Sequence, residues 1–138
     1  MRRIGITGGI GSGKSVVSRL LRIMGYSVYD TDSEANMLMA SSLEVVQKLS
    51  ECFGRDIYHN GRLNRGLLSS RVFGESDKIV LLNSIVHPVV RFDFYRWSES
   101  LNEEICFVES AILYESRFDE LVDEVWTVTA PEELRIGR

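Results

Sequence analysis

A glycine-rich segment near the amino terminus carries the residues best suited to chemistry. Residues 8–15 read Gly-Gly-Ile-Gly-Ser-Gly-Lys-Ser, the spacing G-x-x-x-x-G-K-S without a gap. Glycine has no Cβ and tolerates positive φ, so successive backbone N–H groups of such a loop can converge on one phosphate. Lys14 can place a cation on the β- and γ-phosphates of a nucleotide, and the Ser15 hydroxyl can ligate the Mg²⁺ that bridges them. The segment therefore predicts a phosphate-binding loop.

The neighbouring segments supply the strand and the helix that such a loop requires. A short apolar run at 3–7 precedes the loop, and an apolar-periodic segment from Val16 to about Met24 follows it, with Gly25 placed to end the helix. A second strand is predicted at 27–30, which completes a β-α-β unit with parallel strands. A tight glycine turn with a solvated lysine is the alternative, but the complete motif in a strand-to-helix context favours the phosphate site.

Two acidic residues follow predicted strands at the edge of the sheet where ligands bind in open α/β folds. Asp32, expected on the strand adjoining the loop, could accept the proton of an attacking hydroxyl or hold a metal through water, or it could only cap a helix that begins at Ser33. Asp30 is interpreted as a solvated or supporting group. Glu109, after a third apolar strand at 104–108, could organise the metal or could pair with a nearby basic residue. The residues alone leave these alternatives open.

The middle of the chain, residues 33–103, changes character. Apolar residues follow helical spacing, no segment makes a convincing strand, and residues 59–61 (His-Asn-Gly) mark a tight turn. His87-Pro88 interrupts the longest helical pattern, so Pro88 is predicted to begin a new helix. These patterns predict an inserted helical lobe.

Two residues of this lobe are candidates for substrate contact. Arg65 could meet an anionic substrate, although a single surface arginine is commonly only solvated. His87 could donate to a substrate group or could be a buried turn histidine, and the pattern by itself favours the structural role.

The carboxyl-terminal part adds a fourth predicted strand at 124–128 and a helix that starts at Pro131. That helix stops at Arg138 without a cap, so we expect the natural fold to continue further. The predicted fold is a three-layer α/β P-loop NTPase of the nucleoside-monophosphate-kinase type. We expect its nucleotide-binding core to comprise residues 1–32 and 104–138, and the inserted helical lobe at 33–103 to carry the candidate contacts to an acceptor substrate.

Composition limits the classes of partner. The 138 residues carry a net charge of -4, which gives no general attraction to nucleic acid or to anionic membranes. No apolar run approaches the ~20 residues of a membrane span. We therefore expect a cytoplasmic protein with no nucleic-acid and no membrane partner.

The assembled motifs resemble the dephospho-CoA kinase family along the whole chain. The segments that carry the resemblance are residues 5–15, Asp30-Thr31-Asp32, Phe53-Gly54, residues 60–65, His87-Pro88 and residues 112–115. The resemblance implies transfer of a phosphoryl group from ATP, with Mg²⁺, to the ribose 3'-hydroxyl of dephospho-CoA. It also implies a base or activator at Asp32, and acceptor contacts at Arg65, His87 and Glu115. The implied nucleotide-binding residues are Gly8, Gly9, Ile10, Gly11, Ser12, Gly13, Lys14, Ser15 and Val16.

The chain also departs from the family pattern. Val16 replaces a usual threonine, Asn64 stands where aspartate is common, and Ala111 stands where proline is common. The family's lid arginines would lie after Arg138, so we expect weak or absent turnover from this exact chain. Another small-molecule kinase of the same fold is an alternative. A nucleotide-binding regulatory protein is a second alternative, although the chain has no Asn-Lys-x-Asp guanine motif.

Overall fold

The structure is a computed structural model, and it describes residues 1–9 and 12–129. The strands are β1 (Arg2–Thr7), β2 (Ser27–Asp30), β3 (Tyr58–His59), β4 (Arg62–Leu63), β5 (Ile105–Glu109) and β6 (Glu124–Thr127). The helices are α1 (Lys14–Ile23), α2 (Thr31–Ser41), α3 (Leu43–Phe53), α4 (Arg65–Val72) and α5 (Ser76–Ser100), with short 3₁₀ turns at Arg55–Ile57 and Phe118–Leu121. The helix predicted to start at Pro131 lies outside the described residues. No helix in the described ranges is long and apolar enough to cross a membrane.

Four strands form one parallel sheet in the order β2-β5-β1-β6. The predicted parallel α/β sheet is confirmed. The expectation that Asp32 follows the strand adjoining the loop is wrong, because β5 lies between β2 and β1. Glu109 at the end of β5 is in register with Asp30 on one side and with Ile6 on the other. The carboxyl ends of these three strands therefore meet at one edge of the sheet.

Apolar side chains of β1 and β5 pack against α1 on one face of the sheet. Ile4 and Ile6 of β1 cluster with Leu21 of α1 and Phe107 of β5, and all four are at least nine-tenths buried. Each such side chain contributes about 1.5–3 kcal/mol when fully buried. This burial fixes the start of α1 beside the end of β1, where the loop must turn.

The chain divides into two compact units. One comprises Met1–Asp32 with Asp93–Arg138, and the other comprises Ser33–Phe92. The division falls inside α5 and not at residue 103, where the change of composition had placed it. Because α5 is one continuous helix across residues 92 and 93, no break in the sequence pattern marks this division.

The unit Ser33–Phe92 contains a small antiparallel hairpin that the sequence did not predict. Strands β3 and β4 have two residues each, and they pair across the Asn60-Gly61 turn. Both turn residues have positive φ, at 53° and 77°, as an Asn-Gly hairpin turn requires. The turn was predicted correctly, but strands this short carry no detectable alternation.

Pro88 lies inside α5 and does not begin a new helix, so that prediction is wrong. A proline in a helix interior costs about 3 kcal/mol. The side chains of Ile85, Val86 and Val90 around it are 9%, 6% and 3% exposed. Their burial is worth more than the proline costs, so the helix continues through the His87-Pro88 step.

Candidate functional site

The glycine-rich loop turns directly into α1. Gly13 has φ 93°, in the left-handed region, and it caps the helix, while its carbonyl accepts the N–H groups of Val16 and Val17. The Ser12 N–H donates to the Gly9 carbonyl at 3.1 Å. Positive φ at Gly13 directs the chain so that the first N–H groups of α1 face the loop. Ile10 and Gly11, predicted to bind phosphate, lie outside the described residues.

Gly8 is a position where only glycine fits. A Cβ there would lie 2.6 Å from Ser12 Oγ and 2.6 Å from the Val128 carbonyl oxygen. A Cβ at Gly9 would have no atom of the described residues within 4 Å, its chain neighbours aside. The first glycine therefore allows the loop to close against Ser12 and the segment after β6, and the second leaves open space for a bound group.

The loop lysine faces a buried acid. Lys14 Nζ lies 3.9 Å from Glu109 Oε1, and the two side chains are 17% and 8% exposed. That oxygen accepts no hydrogen bond from any of the described residues. The Thr31 hydroxyl donates to the Glu109 backbone carbonyl at 2.9 Å, which ties the end of β5 to the start of α2. The basic partner that the second interpretation of Glu109 predicted is therefore the loop lysine itself, and the metal role stays a prediction.

Asp30 and Asp32 have different structural roles at the start of α2. The helix begins at Thr31, and the Asp30 carboxylate accepts the Asp32 N–H at 3.1 Å. Asp30 therefore caps the helix, and the capping interpretation of Asp32 is wrong. The Asp32 side chain is exposed in the first helical turn, and no other described residue pairs with its carboxylate.

The remaining predicted residues fall into the two units. Ser15 and Val16 are exposed on the first turn of α1, and Glu115 is exposed in the turn after β5. Arg65 and His87 belong to the other unit, Ser33–Phe92.

These last two residues differ in environment. Arg65 is exposed as the first residue of α4, a helix capped by the Asn64 side chain, which accepts the Leu67 N–H at 3.0 Å. His87 is half-buried in α5, and burial lowers its pKa, with a further contribution from the Arg91 charge. His87 is therefore neutral at pH 7 and can act as a hydrogen-bonding group there.

Within the described ranges, no group of three or more His, Cys, Asp or Glu side chains could hold a metal ion.

A parallel sheet with a glycine-rich loop between its strand β1 and helix α1 defines a P-loop NTPase fold. Within that class the chain belongs to the dephospho-CoA kinase family, whose family model matches residues 2–138. Over the whole chain it is 47% identical to the dephospho-CoA kinase of Porphyromonas gingivalis, and over 99% of it 43% identical to that of Bacteroides fragilis. The chain spans 68% and 67% of those two proteins.

Solved structures give the same fold. The crystal structure of TT1252 from Thermus thermophilus matches 99% of this chain and 69% of its own, with a TM-score of 0.79 and 34% identity. The dephospho-CoA kinase from Campylobacter jejuni matches 98% of this chain and 92% of its own, with a TM-score of 0.65. At 16% identity, that second likeness shows the fold alone.

Sequence reasoning left Glu109 without a definite role. The available signal was an acid that ends a wholly apolar strand, a position at the ligand-binding edge of the sheet. What the sequence lacked was the strand order, which places β5 beside β1 and brings Glu109 to Lys14.

Proposed function

We propose that this protein transfers the γ-phosphoryl group of Mg-ATP to the ribose 3'-hydroxyl of dephospho-CoA, giving coenzyme A. Family membership supplies the reaction. In the structure, the proposal is supported by the Lys14–Glu109 pair, which lies where the glycine-rich loop leads into α1.

The nucleotide phosphates bind at the loop. The N–H groups of residues 13–16 lie at the start of α1, and this helix end favours negative charge. Lys14 turns from Glu109 toward the β- and γ-phosphates when they arrive. Because no described residue beyond its chain neighbours lies within 4 Å of a Cβ at Gly9, the phosphate chain can lie beside this glycine.

Mg²⁺ neutralises charge on the phosphates when it is bound. The Ser15 hydroxyl would hold it directly, and Glu109 would hold it through water. The fit rests on the buried Glu109 Oε1, which accepts no hydrogen bond from the residues that the structure describes.

Asp32 acts on the acceptor. Its carboxylate is exposed and has no pairing partner among the described residues, so it is available to orient the attacking hydroxyl and to accept its proton. Because Asp30 caps the helix, Asp32 holds its backbone position without using its side chain.

Arg65, His87 and Glu115 contact the acceptor. Arg65 is an exposed cation at the start of α4, suited to the diphosphate of dephospho-CoA. Neutral His87 donates or accepts a hydrogen bond. Both substrates are metabolites of the cytoplasm, and we infer that the protein acts there.

Because weak turnover is expected from the 138 residues alone, turnover is measured on the chain extended to the full length of its relatives. The test is to incubate this extended chain with Mg-ATP and, separately, dephospho-CoA, shikimate, gluconate and AMP, and to measure product by chromatography. We expect coenzyme A from dephospho-CoA and no product from the others. Transfer to another acceptor would indicate a different kinase of this fold, and slow ATP hydrolysis without transfer would indicate a nucleotide-dependent regulator. Binding of ATP to the 138-residue chain, measured by calorimetry, tests the nucleotide site without turnover.

A further inference from the structure

The unit Ser33–Phe92 contains an apolar groove of about 250 Å³ between segments α2, β4, α4 and α5. Its apolar wall consists of Met39, Leu63, Leu68, Val72 and Leu82. Leu68 and Val72 are buried, and the other three are partly exposed or half-buried along the opening. This wall is aliphatic apart from one thioether.

Three polar residues complete the lining. They are Asn36, Ser69 and Arg65. None of these side chains has a hydrogen bond or an ion pair with another residue in the part of the chain that the structure describes. An amide, a hydroxyl and a guanidinium are thus available to a ligand at the edge of an apolar groove.

The size of the groove limits what it can hold. Small-molecule sites enclose about 300–1,000 Å³, so this groove suits part of a large substrate and not all of it. Dephospho-CoA has three chemically distinct parts: an adenosine, a diphosphate and a pantetheine arm, which is a flexible chain with two amides and a thiol.

The lining selects among these three parts. A nucleobase is held best by stacking on an aromatic ring, and this groove's lining has none. A diphosphate needs cations and not an aliphatic wall. The arm alternates methylene groups with amides, which matches aliphatic residues interspersed with Asn36 and Ser69.

We propose that this groove binds the pantetheine arm of the acceptor while Arg65, at its rim, pairs with the adjoining diphosphate. The inference rests on the proposed function, because that function supplies the acceptor. Met39, Leu63 and Leu82 then contact the arm and favour dephospho-CoA over acceptors that carry no such chain.

The test fills the groove from an exposed position. Ser69→Trp places an indole in the groove, and Ser70→Trp places the same group at the adjacent exposed residue of α4, which is outside the lining. D-pantetheine, the arm without nucleotide, is titrated into ¹⁵N-labelled protein. We expect amide shifts at Asn36, Ser69 and Leu82 in the wild type and in Ser70→Trp, and their loss in Ser69→Trp.

A second variant, at an exposed residue, keeps the inference testable if Ser69→Trp does not fold. Arg65→Gln alters an exposed side chain, and we expect it to weaken dephospho-CoA binding about tenfold, the loss of one charge-assisted contact, while pantetheine shifts persist. Ser69→Trp should weaken both. Thermal melts confirm that each variant is folded.

Two results separate this inference from the proposed function. If all variants form coenzyme A with the same KM for dephospho-CoA, the groove assignment is overturned and the kinase assignment stands. If pantetheine shifts map to the groove but no coenzyme A forms, the arm site stands and the kinase assignment does not. Pantetheine shifts confined to residues outside the groove would also overturn the inference.

Discussion

Lys14 Nζ stands 3.9 Å from Glu109 Oε1, across the junction between the phosphate loop and the end of β5. This separation is too long for a direct hydrogen bond, and the carboxylate is 92% buried, since its side chain is 8% exposed. Glu109 Oε1 accepts no hydrogen bond from the described residues, so the Lys14 charge is its main compensation for burial. We infer that the pair is held ready for the phosphates and the metal.

Replacement of Glu109 tests this relationship. Glu109→Gln keeps the shape and removes the charge, so we expect affinity for ATP without metal to stay within about twofold and affinity for Mg-ATP to fall about tenfold, the cost of one charge-assisted contact. Calorimetry with Mg²⁺ and with EDTA measures both. Glu44→Gln, which alters an exposed pair with Lys48, is the matched control. An equal loss with and without metal would assign Glu109 to the lysine alone.

The two aspartates at the start of α2 should separate stability from turnover. Asp30→Ala removes a cap and should lower the free energy of unfolding by about 1 kcal/mol. Asp32→Asn should change stability by less than that, since its side chain is exposed and makes no pair with the described residues, while phosphoryl transfer falls at least about a hundredfold, as loss of a general base predicts. Thermal melts and coenzyme A formation provide the two readouts. Substantial transfer by Asp32→Asn would exclude it as the base.

The sequence predicted what depends on local pattern. The strand at 27–30 and the loop-to-helix step at Gly13 were correct because alternation, glycine spacing and helix capping act over a few residues. The position of β5 between β1 and β2 was missed, since strand order depends on contacts far apart in the chain. The Lys14–Glu109 pair and the groove were missed for the same reason, because each is formed by residues far apart in the chain. The prediction for Pro88 was wrong because the free energy gained by burying side chains along α5 exceeds the cost of a proline in the helix interior.

The protein has two histidines, which allow a controlled test of pH dependence. Burial and the Arg91 charge hold the pKa of His87 below its ordinary value of 6.5. Above pH 6.5 the imidazole is neutral in both the folded and the unfolded state. Below it the unfolded state binds a proton that the folded state resists, so stability is lost as pH falls from 6.5 through the lowered pKa.

His87→Gln should therefore flatten the decline in melting temperature between pH 7 and pH 5, and His59→Gln, at an exposed residue, should leave it unchanged. If neutral His87 also contacts the acceptor, His87→Gln should raise the KM for dephospho-CoA at pH 7.5, where protonation has no part. An unchanged KM with a flattened melting curve would assign His87 to structure only.

Alanine substitutions at the adjacent loop residues Gly8 and Gly9 should have opposite effects on stability. Gly8→Ala places a methyl group 2.6 Å from both Ser12 Oγ and the Val128 carbonyl oxygen, and at least one of them must move. Overpacking of this kind costs about 1–3 kcal/mol, so we expect a lower melting temperature and weaker ATP binding. Gly9→Ala meets no atom of the described residues within 4 Å, its chain neighbours aside, and should melt like the wild type in the absence of nucleotide.

ATP binding by Gly9→Ala then separates an effect on the phosphate site from an effect on stability. If the space beside Gly9 receives phosphate, Gly9→Ala should weaken ATP binding without any loss of stability, because the added methyl group occupies the ligand's place and not the protein's. Calorimetry and melting curves on the same samples measure both quantities. Wild-type ATP affinity in both variants would mean that the phosphates bind away from these glycines, and the assignment of the loop would then be wrong.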